Sequence, residues 1–174
     1  MAKSNIVLIG MPGAGKSTLG VVLAKIANLG FLDADLVIQQ QCGATLQTLI
    51  DEKGPEKFIE LEGEVLSGID VEGCVIATGG SAVYSQTAIE RLREHGVVVY
   101  LEIAYESLVE RLGDLRERGV VMRGNAGAGG GLRALFDERR PLYESAADVV
   151  VNVDGLTITD AARKVAAAVA ATNA

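Results

Sequence analysis

Short apolar runs recur along the chain, and each stops at glycine or at a polar or acidic residue. Residues 5–9 (NIVLI), 74–78 (CVIAT) and 97–101 (VVVYL) lack polar alternation, the pattern of parallel strands covered on both faces. Phe31-Leu32, closed by Asp33 and Asp35, predicts a short further strand, and residues 148–153 a last one. Between them, apolar residues at helical spacing predict helices over 18–27, 36–42, 46–53, 86–94, 105–116 and 132–140, and an Ala-rich helix over 159–171. Another is expected over 56–66, after the break at Gly54-Pro55. Strands that alternate with helices imply an α/β fold, a parallel sheet with helices on both faces. No repeat or linker divides the sequence, so residues 1–174 read as a single domain.

Composition narrows the function. Sixteen basic against 23 acidic side chains leave a net charge of −7, which disfavours a nucleic-acid or anionic-membrane surface. A small anionic ligand in a local pocket stays compatible. No apolar run approaches the ~18 residues that cross a bilayer. The N-terminus is broken by glycine too early for a signal peptide. Cys42 and Cys74 form no CxxC and there is one histidine, His95, so a zinc site and a disulfide framework are not expected, and a cytoplasmic location is. Both cysteines read as buried packing, and His95 as a surface residue at a helix end.

The 21 glycines are more than packing needs, and several cluster where chemistry is expected. Gly10-Met-Pro-Gly13-Ala14-Gly15-Lys16-Ser17 matches GxxxxGK[ST] in full, directly after a strand and opening a helix. In that setting backbone N–H groups of Gly13, Ala14, Gly15 and Thr18 cradle phosphates, with the helix N-terminus adding its dipole. Lys16 reaches the β- and γ-phosphates, and the Ser17 hydroxyl ligates Mg²⁺. ATP and Mg²⁺ are therefore the expected cofactors. No Asn-Lys-x-Asp guanine reader occurs, and the apolar runs end in Thr78 and Leu101, not in the acid a motor ATPase requires.

Asp33 and Asp35 sit at the carboxyl end of a strand, in the crevice the P-loop faces. One would order Mg²⁺ and the other accept hydrogen bonds from an alcohol; the same pair also suits a helix N-cap with a first-turn acid. Thr78-Gly79-Gly80-Ser81 ends another strand, and its paired glycines allow a close approach of backbone to ligand. Residues 123–131 hold five glycines in nine positions, flanked by Arg116, Arg118 and Arg123. They fit either a lid edge that excludes water or a solvated connection.

The ordered set GMPGAGKST, FLDADLVI, GPEKF…E, ATGGS, Arg111…Arg118 and ERRPLYESAADV resembles the shikimate kinase family over nearly the whole length. The resemblance implies a P-loop fold like that of nucleoside monophosphate kinases, with a lid at about 113–131. It implies transfer of the ATP γ-phosphoryl group to a hydroxyl of a small carboxylic acid, without nucleic-acid or membrane partners, by a monomer or weak dimer. By matched motif, Lys16, Asp33 and Arg118 would be catalytic, with Asp33 also serving Mg²⁺ beside Ser17. Arg111 would lie against adenine. Asp35, Gly79, Gly80 and Ser81 would bind the acceptor, and Arg139 its carboxylate.

Three positions depart from the family pattern. Ile59 follows Phe58 where the family has an arginine that clamps the substrate carboxylate. Ser81 replaces the third glycine of a glycine triplet, and Arg118-Gly-Val-Val replaces Arg-Pro-Leu-Leu in the lid. Loss of one side of a buried charge contact costs about 2–5 kcal/mol, which would have to be recovered elsewhere, Arg140 being one candidate, if shikimate is the acceptor. Homoserine or another small hydroxy acid is the alternative, since Glu60 and Glu62 sit near the lost arginine and would pair an ammonium if they face the pocket. An ATP-binding regulatory module without phosphotransfer is the alternative class, disfavoured by Asp33, Asp35 and Arg118.

Overall fold

The structure, a computed structural model, describes residues 4–112, 120–122 and 131–172 of the 174. Five strands form one parallel sheet: β1 (Asn5–Ile9), β2 (Gly30–Asp33), β3 (Cys74–Ala77), β4 (Gly96–Glu102) and β5 (Val149–Asn152), in the order β2-β3-β1-β4-β5. The burial follows this order. Every residue of central β1 is buried, as are all of β4 except Glu102, whereas edge strands β2 and β5 are half covered. This is why β1 and β4 read as apolar runs and β2 showed only two apolar residues.

The helices are α1 (Lys16–Ala27), α2 (Ala34–Cys42), α3 (Leu46–Lys53), α4 (Pro55–Ser67), α5 (Gln86–His95), α6 (Tyr105–Leu112), α7 (Gly131–Ala146) and α8 (Ile158–Thr172). Each predicted element is present, with ends displaced by a few residues and a 3-10 turn added at Ala82–Tyr84. The helix predicted over 105–116 is described only as far as Leu112.

One helix departs more. Helix α7 was expected to stop at Arg140, before Pro141, and instead runs on to Ala146. Pro141 is exposed, so the carbonyl that loses its donor faces water, while the buried stripe of Leu135, Phe136, Arg139 and Tyr143 continues through it. Tertiary burial outweighs the break.

Helices α1 and α8 pack together beside the sheet, while α4 and α5 pack as a second pair. The main core is built from β1, β3 and β4 with α1, α5 and α8. A smaller apolar cluster joins Ile38, Leu49, Phe58, Ile59, Val65 and Val121, tying α2, α3 and α4 to the segment at 120–122. The expectation of two buried cysteines is corrected: Cys42 is exposed at the end of α2 and Cys74 is half-buried.

Candidate active site

All five strands run parallel, so their carboxyl ends gather on one side, and a cleft of about 670 Å³ opens there. Its floor begins where β1 ends and the P-loop turns into α1. Gly15 caps that helix with φ 93°, a left-handed conformation that an L side chain resists, which leaves the first N–H groups of α1 pointing outward. Gly13, Ala14, Gly15, Lys16, Ser17 and Thr18 all line the cleft, as the sequence predicted, with Ser17 and Thr18 exposed. Lys16 is buried, and its Nζ donates to the carbonyls of Gly10 (2.8 Å) and Met11 (2.9 Å). Burial lowers its pKa to about 8, against the opposing pull of Asp35.

Asp33 and Asp35 divide. Asp33 ends β2 and pairs in register with Ala77 of β3; its Oδ1 accepts from the Asp35 backbone N–H at 3.0 Å, so it caps α2. The capping geometry is thus realised, and it leaves Asp33 close enough for its charge to act on Lys16. Asp35 lines the cleft, and burial raises its carboxyl to about 6, with Lys16 pulling it back.

Across the cleft, Thr78 Oγ1 donates to the Leu8 carbonyl at 3.0 Å and fixes the end of β3 against β1. Gly79 and Gly80 follow, and both must lack a side chain. A Cβ at Gly79 would overlap Glu62 Oε1 and meet Asp35 Oδ1 at 2.9 Å; one at Gly80 would meet Arg139 Nη1 and Pro12 Cδ at 2.8 Å. Tyr143, stacked on Tyr100 with centroids 5.2 Å apart, donates to the Gly80 carbonyl at 2.6 Å and holds this turn.

Arg139 is fully buried on α7. Its Nη2 donates to the Val121 carbonyl (2.6 Å) and its Nε to the Tyr84 hydroxyl (3.2 Å), which in turn donates to Glu138 (2.5 Å). Nη1 lies beside Gly80 at the cleft wall, and the Tyr143 hydroxyl is a further hydrogen-bonding neighbour of the guanidinium. Arg111 is exposed and lines the cleft. Arg140 points elsewhere: it is exposed and pairs with Glu144 and Glu102, so it does not make good the missing arginine. Arg116, Arg118, Arg123 and most of the expected lid at 113–131 lie outside the described residues.

Sequence reading missed the part Glu62 plays. Glu62 is 1% exposed, lines the cleft, and accepts a hydrogen bond from Ser81 on Oε2. Its Oε1 is buried without a hydrogen-bond partner among the described residues. Burial raises its pKa to about 7, with the Ser81 bond acting in the opposite direction. Glu60, two residues away, is exposed and does not line the cleft, so of the two acids Glu62 alone meets the condition of facing it. Ile59 belongs to the small apolar cluster and is not in the cleft wall. The spacing of Glu62 from buried Phe58, one helical turn on α4, was the available signal.

No cluster of three or more metal-ligating side chains occurs among the described residues. Mg²⁺ bound with a nucleotide needs one or two protein oxygens, the rest coming from phosphates and water, and Ser17 at the mouth of the P-loop meets that requirement. No described helix is long and apolar enough to cross a membrane.

A family model described as shikimate kinase matches residues 12–170. A shikimate kinase from Pseudomonas paraeruginosa is 43% identical over 151 residues, covering 86% of this chain and 87% of the relative. One from Francisella tularensis subsp. holarctica is 40% identical over 163 residues, covering 92% of each. The structure of shikimate kinase from Acinetobacter baumannii in complex with shikimate superposes with a TM-score of 0.81 at 32% identity, covering 94% of this chain and 90% of that one.

Proposed function

The chain belongs to the shikimate kinase family, and from that membership we infer that it transfers the γ-phosphoryl group of ATP to a hydroxyl of shikimate. One observation carries the reading at the level of chemistry. A single cleft holds a phosphate-binding loop together with the half-buried Asp35 carboxylate, the buried Glu62 carboxylate and the buried Arg139 guanidinium, a set suited to a polyhydroxylated acid. The homoserine alternative is set aside: the relatives matched are shikimate kinases, and Glu60 points to solvent. The regulatory-module alternative has no support either.

In this reading the N–H groups at the start of α1 bind the phosphates, and Ser17 would hold Mg²⁺, whose charge would offset that of the transferring group. Lys16 leaves its two loop carbonyls for the β- and γ-phosphates, and their negative charge raises its pKa from about 8. Asp35 accepts from the reacting alcohol, Asp33 would help to hold the ion, and Arg139 Nη1 takes the acceptor carboxylate. Arg111 covers the base, and Arg118 is assigned to the transferring phosphoryl group on motif alone. Residues 1–174 act as one kinase unit, a monomer or weak dimer; the two free cysteines support a reducing, cytoplasmic setting.

A coupled ATPase assay offering shikimate, homoserine and gluconate side by side tests this reading. Turnover with shikimate alone supports it, and turnover with either other acceptor at higher kcat/KM overturns it. Within the site, Asp33→Asn should lower kcat with little change in shikimate KM, whereas Asp35→Asn should lower kcat and raise that KM, each by tenfold or more, roughly the contribution of one charged hydrogen bond. Initial rates with both substrates varied check this. If both variants change only the ATP KM, the pair does not face the acceptor.

A further inference from the structure

We propose that Ser81 is a positioning residue for the acceptor: its hydroxyl holds the Glu62 carboxylate so that Oε1 is presented to the acceptor end of the cleft. The proposal rests on the phosphotransfer reading above. A carboxylate this deeply buried needs donors, and α4 supplies none nearby. The side chain one turn earlier on the same helix, where an i,i+3 partner would sit, is Ile59, which is apolar and packed in the small cluster. The Ser81 hydroxyl is the hydrogen-bond donor that reaches Glu62 among the described residues, and it takes Oε2. The other oxygen, Oε1, is left without a partner, pressed against Gly79 beside Asp35 Oδ1.

Ser81 is itself buried, at 4% exposure, and its hydroxyl is turned to Glu62. It therefore acts on the acceptor through Glu62, which revises the direct contact that the sequence implied. A neutral donor at this place has a specific consequence. It orients the carboxylate without cancelling its charge, so Oε1 remains a strong acceptor for a hydroxyl. The charged groups that act on Glu62 are Asp35 from α2, Lys16 from α1 and Arg139 from α7. Because a bond to the ionised form lowers a carboxyl pKa, loss of the Ser81 hydroxyl moves Glu62 upward and removes ionised Glu62 at a given pH.

The test uses the full-length enzyme with ATP, Mg²⁺ and shikimate between pH 6 and 9. Ser81→Ala should raise the shikimate KM about tenfold, the weight of one hydrogen bond to a charged group, while the ATP KM stays within about twofold. The acid-side fall in 1/KM for shikimate should move to higher pH. Ser81→Thr, which keeps the hydroxyl, should restore most of both. Glu62→Gln should raise the same KM, and adding Ser81→Ala to it should change nothing further. A Ser81→Ala penalty that persists in the Glu62→Gln background would show that Ser81 contacts the acceptor directly or merely packs, and would overturn the proposal. So would a Ser81→Ala enzyme with the wild-type KM and pH profile. Should the alanine variant be unstable, Ser81→Cys keeps the volume and weakens the donor, and is read in the same way. Titration of the Glu62 side-chain carbon by NMR separates this from the functional reading. Its midpoint should rise in Ser81→Ala even if shikimate proves not to be the acceptor, and an unmoved midpoint refutes the coupling whatever the substrate.

Discussion

Lys16→Ala is expected to lower kcat for phosphoryl transfer by about 10²–10³-fold or more, the range seen when one preorganised donor to a developing charge is removed. Lys16 is buried, but its Nζ is spent on the carbonyls of Gly10 and Met11 within the P-loop and not on the helices or strands that build the core. Far-UV circular dichroism should therefore remain that of the wild type. A second effect follows from the electrostatics. Lys16 pulls the carboxyl groups of Asp35 and Glu62 downward, so its removal leaves both less ionised at neutral pH. The residual activity of the variant should thus rise more steeply with pH than that of the wild type. Initial-rate measurements across pH 6–9 check both parts. A variant that keeps more than about a tenth of the wild-type kcat contradicts the role given to Lys16.

What the sequence made legible is what depends on local backbone geometry. The P-loop is a run of eight residues whose function needs only a strand before it, a helix after it and glycines between, so it could be recognised without knowing what faces it. Strands β1 and β4 were equally plain, because burial on both faces removes polar residues from them. Side chains whose role depends on a partner across the cleft were not legible. Ser81 stands nineteen positions from Glu62, and no spacing rule links residues on α4 to a turn after β3. The homoserine alternative failed on a point that helical geometry could have corrected. Residues two apart on a helix point to nearly opposite sides, so Glu60 and Glu62 could not both enter one pocket. Helix α7 outran its expected end at Arg140 because it is held by four buried side chains on one stripe, against which the break at Pro141 is local.

Arg139→Lys is expected to raise the shikimate KM by about 30-fold or more, with little change in the ATP KM. Arg139 is the buried guanidinium at the acceptor end, and position 59 supplies no second one. Its geometry is already committed: Nη2 to the Val121 carbonyl, Nε to the Tyr84 hydroxyl, with Nη1 at the cleft wall beside Gly80. Lysine keeps the charge and loses the fork, so it cannot satisfy Val121 and Tyr84 and still reach a carboxylate. Arg139→Ala goes further. It leaves Lys16 as the cation that remains among those acting on Glu62, and it removes the donor to the Val121 carbonyl and one of the hydrogen bonds of the Tyr84 hydroxyl. Leaving the buried Val121 carbonyl without its donor costs about 1–3 kcal/mol, which should appear as a lowered Tm in addition to the loss of acceptor binding. The two variants therefore separate charge from geometry. If Arg139→Lys binds shikimate as the wild type does, charge alone suffices at this position and the carboxylate is not gripped by the guanidinium. If Arg139→Ala melts at the wild-type temperature, the Val121 carbonyl does not depend on the guanidinium that the structure places against it.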